Sequence, residues 1–196
     1  MQRDLFLEKF FNALISGDRP TARALVTEGL AEHGSAEMVL SEMFWPSLEN
    51  IQKLHRADQL SDLCYNFATR LMRQLVDQVS IRLNFSERVG RTVLLASGAE
   101  QSEELAAQMS ADLLEAAGYD VYYLGGGVAN DEIVAQLGAL EADVLVMFGA
   151  VNSTVPQTRL LIDNLHEIGV CPKLQIVVGG GIFNRADGLA GIGRAH

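Results

Sequence analysis

Short apolar segments alternate with helical patterns throughout residues 91–178, and this alternation limits the fold more than any other feature of the chain. Continuous apolar runs of this length are typical of strands that are covered on both faces of a sheet. Regular strand–helix alternation joins parallel strands through right-handed crossovers. The predicted strands are Thr92–Ala96, Tyr119–Leu124, Val144–Phe148 and Leu174–Val178, and the predicted helices are Ser102–Ala117, Asp131–Glu141 and Val155–Ile168. The sequence therefore predicts an α/β domain with a doubly wound parallel sheet, Rossmann-like or flavodoxin-like, over residues 91–196.

The first half of the chain has only helical periodicity. Apolar residues recur at helical spacing in four segments, approximately residues 4–15, 19–33, 35–44 and 61–83. Asp18 and Pro20 suit the start of the second helix, and Ser35 can cap the third. The Trp45-Pro46 pair must bend or restart the third helix, because proline has no N–H to donate. Short connections between amphipathic helices predict a four-helix bundle over residues 1–84, linked by a polar stretch to the domain that begins at residue 91.

The turn Ser97–Ser102 follows the first predicted strand and is the first candidate for a functional site. In open parallel sheets, ligands bind beyond the carboxyl ends of the strands. The turn lacks both glycine-rich phosphate patterns, and Glu103 and Glu104 would repel a phosphate at the helix start. Gly125–Gly127 and Gly179–Gly181 follow the second and fourth strands, where glycine lets a ligand or another backbone come close. We interpret the first triplet as turn residues, and for the second both interpretations remain open.

Composition limits the possible partners and the location of the protein. The net charge of −10 and the absence of a basic stripe disfavour direct binding of nucleic acid, which needs clustered Lys and Arg. No apolar run approaches the roughly 20 residues that span a bilayer, and the first residues do not have the pattern of a signal peptide. We therefore expect a cytoplasmic protein that acts without a membrane and, in any regulatory role, through protein contacts.

Cysteines, histidines and catalytic patterns give little support for metal or enzyme chemistry. Cys64 and Cys171 are far apart and form no C-x-x-C pair, so buried apolar thiols are expected. The four histidines have no H-x-x-x-H spacing, so no metal site built from protein ligands alone is predicted. The strand ends carry no Ser-His-Asp order and no nucleophile elbow, and Ser153 is interpreted as a turn or cap residue. The sequence thus predicts a protein that is not an enzyme.

A helical bundle followed by a small doubly wound domain resembles the cobalamin-binding module. This module occurs in methionine synthase, in corrinoid carrier proteins of methyltransferase systems and in light-sensing B12-dependent regulators. The similar residues are Gly17-Asp18, Ala22–Leu25, Trp45–Leu48, Ile51 and Ala68-Thr69 in the first half, and Leu113–Val121 and Leu124-Gly125 in the second. The resemblance covers nearly the whole chain and implies cobalamin as the cofactor.

The resemblance also identifies the positions that hold the cofactor in this family, and many of them differ here. The family motif D/E-x-H-x-x-G supplies an axial histidine to cobalt, whereas Gln101–Ala106 has Glu103 at the histidine position and Ala106 at the glycine position. The family's W-x-x-G-E segment, which covers the corrin, reads His55–Gln59, and its E-H pair reads Tyr65-Asn66. The candidate cofactor positions are Trp45, His55, Tyr65, Asn66, Glu103, Gly149, Val151, Ser153, Gly179 and Gly180. Of these, Gly149 stands for the serine of the family's S-x-L stretch, with Val151 two residues later, and Gly179-Gly180 matches the last motif.

These differences leave several cofactor states open. A carboxylate is a poor substitute for imidazole on the cobalt of a corrin, so histidine-on binding should be lost. We interpret Glu103 as a solvated residue of the first helical turn. His55 is interpreted as a surface histidine at a helix end, with axial ligation of haem as the alternative. Cobalamin bound with its own base, haem and no cofactor all remain possible.

The function expected from the resemblance is a non-enzymatic sensory or regulatory module whose bundle-to-sheet interface responds to a ligand or to a protein. The partner would be a regulator, a kinase or a methyltransferase component. One alternative is a corrinoid carrier subunit of a methyltransferase system. Another is a cofactor-free interaction domain, which bulky Met147, Phe148 or Tyr123 side chains in the pocket would favour. A homo-oligomer is left open, and the short segment after Gly181 indicates a trimmed C-terminus.

Overall fold

The computed structural model of the chain describes residues 2–149, 154–169 and 173–180. These residues form two compact units, which divide between Asn84 and Phe85. The first unit is helical, and the second is a parallel sheet with helices, so the predicted fold class is confirmed. Among the described helices, none combines the length and the apolar character that crossing a membrane requires.

The first unit consists of five helices around an apolar core. They are α1 (Gln2–Ser16), α2 (Arg19–His33), α3 (Ala36–Val39), α4 (Trp45–Arg56) and α5 (Asp62–Ser80). Side-chain caps fix the helix starts, since the hydroxyl of Ser35 accepts the N–H of Met38 and the carboxylate of Asp18 accepts the N–H of Thr21. Large side chains without any exposed surface fill the core, including Phe10, Leu14, Met43, Phe44, Ile51, Met72 and Leu75.

A π-helical turn, Leu40–Phe44, joins α3 to α4. Pro46 has no N–H, so it cannot make the hydrogen bond to the carbonyl four residues before it that an α-helix requires. The preceding Trp45 N–H bonds to the carbonyl of Leu40, five residues back, which is the π-helical pattern. Helix α4 begins at Trp45, directly after the π-helical turn and without an intervening loop. The sequence predicted that the helix bends or restarts at Trp45-Pro46. The proline alone does not specify that a π-helical turn precedes it.

Glu37 connects the start of α3 to the last residue of the first unit. Its Oε1 accepts the N–H of Asn84 at 3.1 Å. Hydrogen bonds from its own N–H and from that of Asn84 hold the pKa of Glu37 below the usual 4.5. Because the pKa is lowered in the folded state, this contact stabilises the fold fully above pH 4.5 and is lost as the pH falls through the folded pKa.

We therefore expect Glu37→Gln to be less stable than the wild type at pH 7, and the difference should disappear as the pH falls below 4.5. Urea midpoints of the two proteins, measured across this pH range, test the prediction. The exposed Glu32→Gln variant on α2 provides a control with the same change of charge. A difference between Glu37→Gln and wild type that stays constant with pH would contradict the assignment.

The second unit is a four-stranded parallel sheet with the order β2-β1-β3-β4. The strands are β1 (Thr92–Ser97), β2 (Asp120–Gly126), β3 (Val144–Phe148) and β4 (Gln175–Gly179), and the helices are α6 (Gln101–Ala116), α7 (Asn130–Leu140) and α8 (Thr154–Ile168). The direction in which strands are added reverses between β1 and β3, as in flavodoxin-like sheets. The register places Ser97 beside both Gly126 and Phe148, and Phe148 beside Gly179. The carboxyl ends of all four strands therefore lie along one edge.

Apolar residues of α7 and α8 cover one face of this sheet. Ile133, Leu137 and Leu161 pack in one buried cluster with Leu94 and Leu145 of the central strands. Helix α6 packs on β1, β2 and β3. Both central strands are therefore buried, as their continuous apolar sequences predict.

Candidate functional site

A cavity of about 370 Å³ lies at the carboxyl ends of β1 and β3, where the strand order reverses. Its described lining comes from the β1–α6 turn, the start of α6, the segment that leads into α7, the end of β3, and α8. The lining residues are Ala96–Glu100, Glu103, Gly127–Asn130, Ile133, Met147, Phe148, Gln157 and Thr158. The volume is at the lower end of the roughly 300–1,000 Å³ that is typical of small-molecule sites. The turn that the sequence singled out forms part of this cavity.

Glu103 is fully buried, so its interpretation as a solvated residue was wrong. Helix α6 begins at Gln101, with Glu100 as its N-cap, and Glu103 therefore occupies the third helical position. Its Oε2 accepts the N–H of Glu100 at 3.4 Å, while the Glu100 side chain accepts the N–H of Glu103. This reciprocal arrangement is a capping box, which turns the carboxylate back toward the backbone instead of toward solvent. The E-x-x-E spacing was the sequence signal that could have predicted it.

Ser97 is the last residue of β1, and the sequence analysis did not select its side chain. Its hydroxyl oxygen is buried and has no hydrogen-bond partner among the residues that the structure describes. An unsatisfied buried hydroxyl costs free energy, so in a folded protein it calls for an explanation, such as a bound molecule. Ser97 belongs to the cavity lining.

The cavity is lined by acidic and neutral polar side chains and by apolar side chains. Its described lining includes two carboxylates, two hydroxyls and the side-chain amides of Asn130 and Gln157, but no imidazole, thiol, ammonium or guanidinium group. Ile133, Met147 and Phe148 supply apolar surface. Tyr123 is not part of the lining, and its hydroxyl instead donates to the carbonyl of Glu104 at 2.8 Å. Of the three bulky residues considered for a filled pocket, two therefore line the cavity.

Gly126 and Gly180 lie where another backbone comes close. A Cβ at Gly126 would overlap the carbonyl oxygen of Gly98 and would lie 2.8 Å from the Cα of Ala99. A Cβ at Gly180, whose φ is +105°, would overlap the carbonyl oxygen of Gly149. The interpretation of the first triplet as turn residues was therefore wrong for Gly125 and Gly126, which belong to β2. At both positions the close approach of another backbone explains the glycine.

Gly149 and Gly179, two of the candidate cofactor positions, are held together by the sheet. The N–H of Gly149 donates to the carbonyl of Gly179 at 2.9 Å. Val151 and Ser153 lie outside the described residues, as does Cys171.

Within the described part of the chain, no three His, Cys, Asp or Glu side chains cluster in a way that could hold a metal ion. Cys64 is only partly buried, so the expectation of a buried thiol was wrong for this residue.

In the first unit, the structure brings together two candidate positions that are ten residues apart in sequence. The ring of His55, in the last turn of α4, stacks on Tyr65 of α5 with 4.1 Å between ring centroids. Its Nε2 lies 2.9 Å from Oδ1 of Asp62, and its side chain is 32% exposed. The helix-end position was predicted, but the stacking and the contact with Asp62 were not. Asn66 is half-buried beside Tyr65 in the sequence, and the indole N–H of Trp45 donates to Glu49 at 3.2 Å.

Comparison with known protein families gives two matches, which together span most of the chain. A model described as a B12 binding domain matches residues 91–193, and a second model with the same description matches residues 6–80. No curated protein matches the sequence.

Solved structures to which the chain is similar include corrinoid proteins. The monomethylamine corrinoid protein of Methanosarcina barkeri superposes with a TM-score of 0.80 at 16% identity, covering 98% of this chain and 91% of that one. A cobalamin-binding protein from Desulfitobacterium hafniense DCB-2 gives 0.49 at 17% identity, with 96% and 89% covered. The methanol:cobalamin methyltransferase complex of Methanosarcina barkeri gives 0.48 at 15% identity, with 91% and 69% covered. At 16% identity, the similarity to the monomethylamine corrinoid protein is one of fold.

Proposed function

Because the chain belongs to the family of B12-binding domains, we propose that it is a non-enzymatic sensory or regulatory module that does not hold cobalamin through a histidine ligand. The observation that carries this proposal is the burial of Glu103 in the α6 capping box. At the position where the family motif has its axial histidine, this chain has a carboxylate that is hydrogen-bonded to backbone. The residue therefore stabilises a helix start instead of presenting a nitrogen to a metal.

The donor groups of the cavity do not fit histidine-on cobalamin. Cobalt in a corrin is coordinated by imidazole or by the cofactor's own base, whereas carboxylate oxygens prefer harder cations. The described lining contains no imidazole, and Glu103 already accepts the N–H of Glu100. No lysine or arginine in the described lining would offset a phosphate near Glu100 and Glu103. These features support the loss of the family's usual binding mode.

The contacts of His55 disfavour the haem alternative. An axial ligand to haem needs an accessible ring nitrogen that points at the iron. The Nε2 of His55 faces Asp62 at 2.9 Å, and one face of the ring lies on Tyr65. Binding iron through Nε2 would require the ring to leave the carboxylate.

A regulatory module needs a partner to which it passes its signal, and we propose a protein for this role. A ligand that prefers one conformation of the module shifts the population toward it, and a partner that recognises this conformation then responds. A transcriptional regulator, a kinase or a methyltransferase component could play this part. The net charge of −10 disfavours direct contact with nucleic acid.

Cobalamin uptake tests the proposed function. We expect the purified wild type, incubated with methylcobalamin or adenosylcobalamin and desalted, to retain no corrin absorbance. Glu103→His should retain more corrinoid than wild type, because an imidazole replaces the carboxylate. Glu104→His is the matched control, since Glu104 follows in the same helical turn but does not line the cavity. Stoichiometric and tight binding of cobalamin by the wild type would refute the part of the proposal that concerns the cofactor.

A corrinoid carrier subunit is the second candidate function. In its favour, the likeness of fold to the monomethylamine corrinoid protein extends over both units of the chain. A carrier must hold a corrinoid through cycles of methylation and demethylation. Corrinoid-loaded protein that accepts methyl groups from a methyltransferase preparation would establish this function and displace the regulatory proposal. Failure with every corrinoid tested would remove it.

A further inference from the structure

We propose that the groove between α1 and α4 docks a basic amphipathic helix of a partner protein. This inference rests on the proposed function, because it gives a surface and a chemical class to the protein partner of a regulatory module. The groove has about 460 Å³ of space, and all its described lining residues belong to the first unit. They come from α1 and from the start of α4.

The floor of the groove is apolar. Leu7 and Phe11 of α1 and Pro46 of α4 supply hydrocarbon surface, and none of the three is fully buried. The hydroxyl of Ser47 also belongs to the lining, but it is buried and donates to the carbonyl of Met43 at 2.7 Å. Since this polar group already has its partner, the floor favours an apolar side chain over a polar ligand.

The rim of the groove is exposed and acidic. Asp4, Glu8 and Asn12 follow one another at helical spacing on α1, and all three are exposed, as is Asn50 on α4. The described lining contains two carboxylates and no lysine, arginine or histidine. Among the residues that the structure describes, none makes a side-chain hydrogen bond or ion pair with Glu8, Asn12 or Asn50. These groups are therefore available to a cationic partner.

The shape of the groove indicates a helix as its occupant. The rim runs along α1 from Asp4 to Asn12, a rise of about 12 Å or slightly more than two helical turns. A small-molecule site encloses most of its ligand, whereas half of the described residues that line this groove are exposed. Leu5, one helical turn before Glu8, is 52% exposed and adds apolar surface beside the rim. A helix laid along a groove covers such a surface with apolar residues at i, i+4 and i+7.

Charge selects a basic partner over a second copy of this chain. In a two-fold symmetric dimer the same patch meets itself, so the carboxylates of two rims would face each other. Like charges that meet across an interface cost free energy, whereas lysine or arginine beside the apolar face of a partner helix would be attracted to the acidic rim. The net charge of −10 also disfavours self-association.

Three synthetic peptides test the proposal. The first has two heptads of Leu-Ala-Lys-Lys-Leu-Ala-Lys, the second has glutamate in place of lysine, and the third has the composition of the first with its leucines spaced onto opposite faces of a helix. In titrations of the full chain at constant ionic strength, we expect saturable shifts of the amide NMR signals of Leu7, Phe11 and Asn50 with the first peptide. The other two should bind at least about tenfold more weakly.

Four outcomes of these titrations would overturn the proposal. They are the absence of saturable shifts with the first peptide, equal affinity for the glutamate peptide, equal affinity for the rearranged peptide, and shifts of the same signals with protein concentration alone. The last would assign the groove to a second copy of the chain.

Charge-introducing variants locate the binding surface. Glu8→Lys on α1 and Asn50→Lys on α4 each place an ammonium group at the rim, so each should weaken binding of the first peptide by about tenfold. Glu28→Lys on α2 and Gln74→Lys on α5 make the same changes at exposed helical positions outside the lining, and each should change the affinity by less than about twofold. Equal weakening by rim and control variants would reduce the binding to general charge attraction and overturn the proposal.

Cobalamin uptake tests the cofactor part of the proposed function separately. A wild type that retains no corrinoid and does not bind the first peptide refutes only this inference. A wild type that retains corrinoid and binds the peptide refutes only the cofactor part of the proposed function.

Discussion

Replacing Phe44 with alanine should destabilise the first unit by about 3–5 kcal/mol, the cost of deleting a buried aromatic ring from a packed core. Phe44 ends the π-helical turn and has no exposed surface. Its ring stacks on Phe10 with 5.4 Å between centroids and an interplanar angle of 11°. The substitution removes this contact and leaves a cavity beside a backbone turn that has little freedom to collapse.

The single tryptophan of the chain makes this prediction easy to measure. Trp45 follows Phe44 directly, so its fluorescence reports on unfolding of the first unit. We expect the urea midpoint that it reports to fall strongly in Phe44→Ala. Phe67→Ala removes the same group from α5, where the ring is 45% exposed, and should cost only about 1 kcal/mol. Similar midpoints for the two variants would show that the π-helical turn is not a core element.

Sequence patterns predicted the elements of this fold well because each has a strong local signal. The central strand β3 was predicted with the bounds that the structure gives it, and β1 differs only by the addition of Ser97. Continuous apolar runs define these strands, and glycines or capping side chains define the helix ends. Gly34, for example, takes the left-handed conformation after α2, with a φ of 72°. These patterns span only a few residues, so they can be recognised in the sequence without knowledge of the fold.

The site was predicted less well because its properties depend on groups that meet only in three dimensions. The turn after β1, which the sequence analysis chose as a candidate functional site, lines a cavity, because the topology of a parallel sheet places it at the carboxyl ends of the strands. The burial of Glu103 depends on helix α6 beginning at Gln101, one residue earlier than predicted, which places Glu103 at the third helical position. The stacking of His55 on Tyr65 depends on the packing of α4 against α5. No local pattern encodes these contacts.

Gly126→Ala should lower the free energy of unfolding of the second unit by about 3 kcal/mol or more, at the upper end of the cost of overpacking. The added methyl group would overlap the carbonyl oxygen of Gly98 and come within 2.8 Å of the Cα of Ala99. Both contacts are with backbone, which cannot move aside as a flexible side chain can. Relief therefore requires the β1–α6 turn to move away from β2.

Gly127→Ala is the matched control, because the next glycine has a positive φ of +77° but no atom within 4 Å of its added Cβ. It should cost only the strain of a left-handed residue, about 1–2 kcal/mol. Denaturation of each variant, monitored through the amide NMR signals of the second unit, separates the cost of steric overlap from the cost of backbone strain. Equal losses of unfolding free energy in the two variants would show that the close approach of the turn to β2 does not require glycine at position 126.

The consequence of Gly126→Ala for the site goes beyond stability. The turn that must move carries Gly98, Ala99 and Glu100, and it leads to the buried carboxylate of Glu103. We therefore expect the amide NMR signals of Gly98, Ala99 and Glu100 to shift strongly in any folded fraction of Gly126→Ala, whereas Gly127→Ala should shift them less. A folded Gly126→Ala protein in which these three signals are unchanged would show that the turn does not have to move. The absence of a side chain at Gly126 lets β2 pack against the turn, and this packing fixes the position of a segment that lines the cavity.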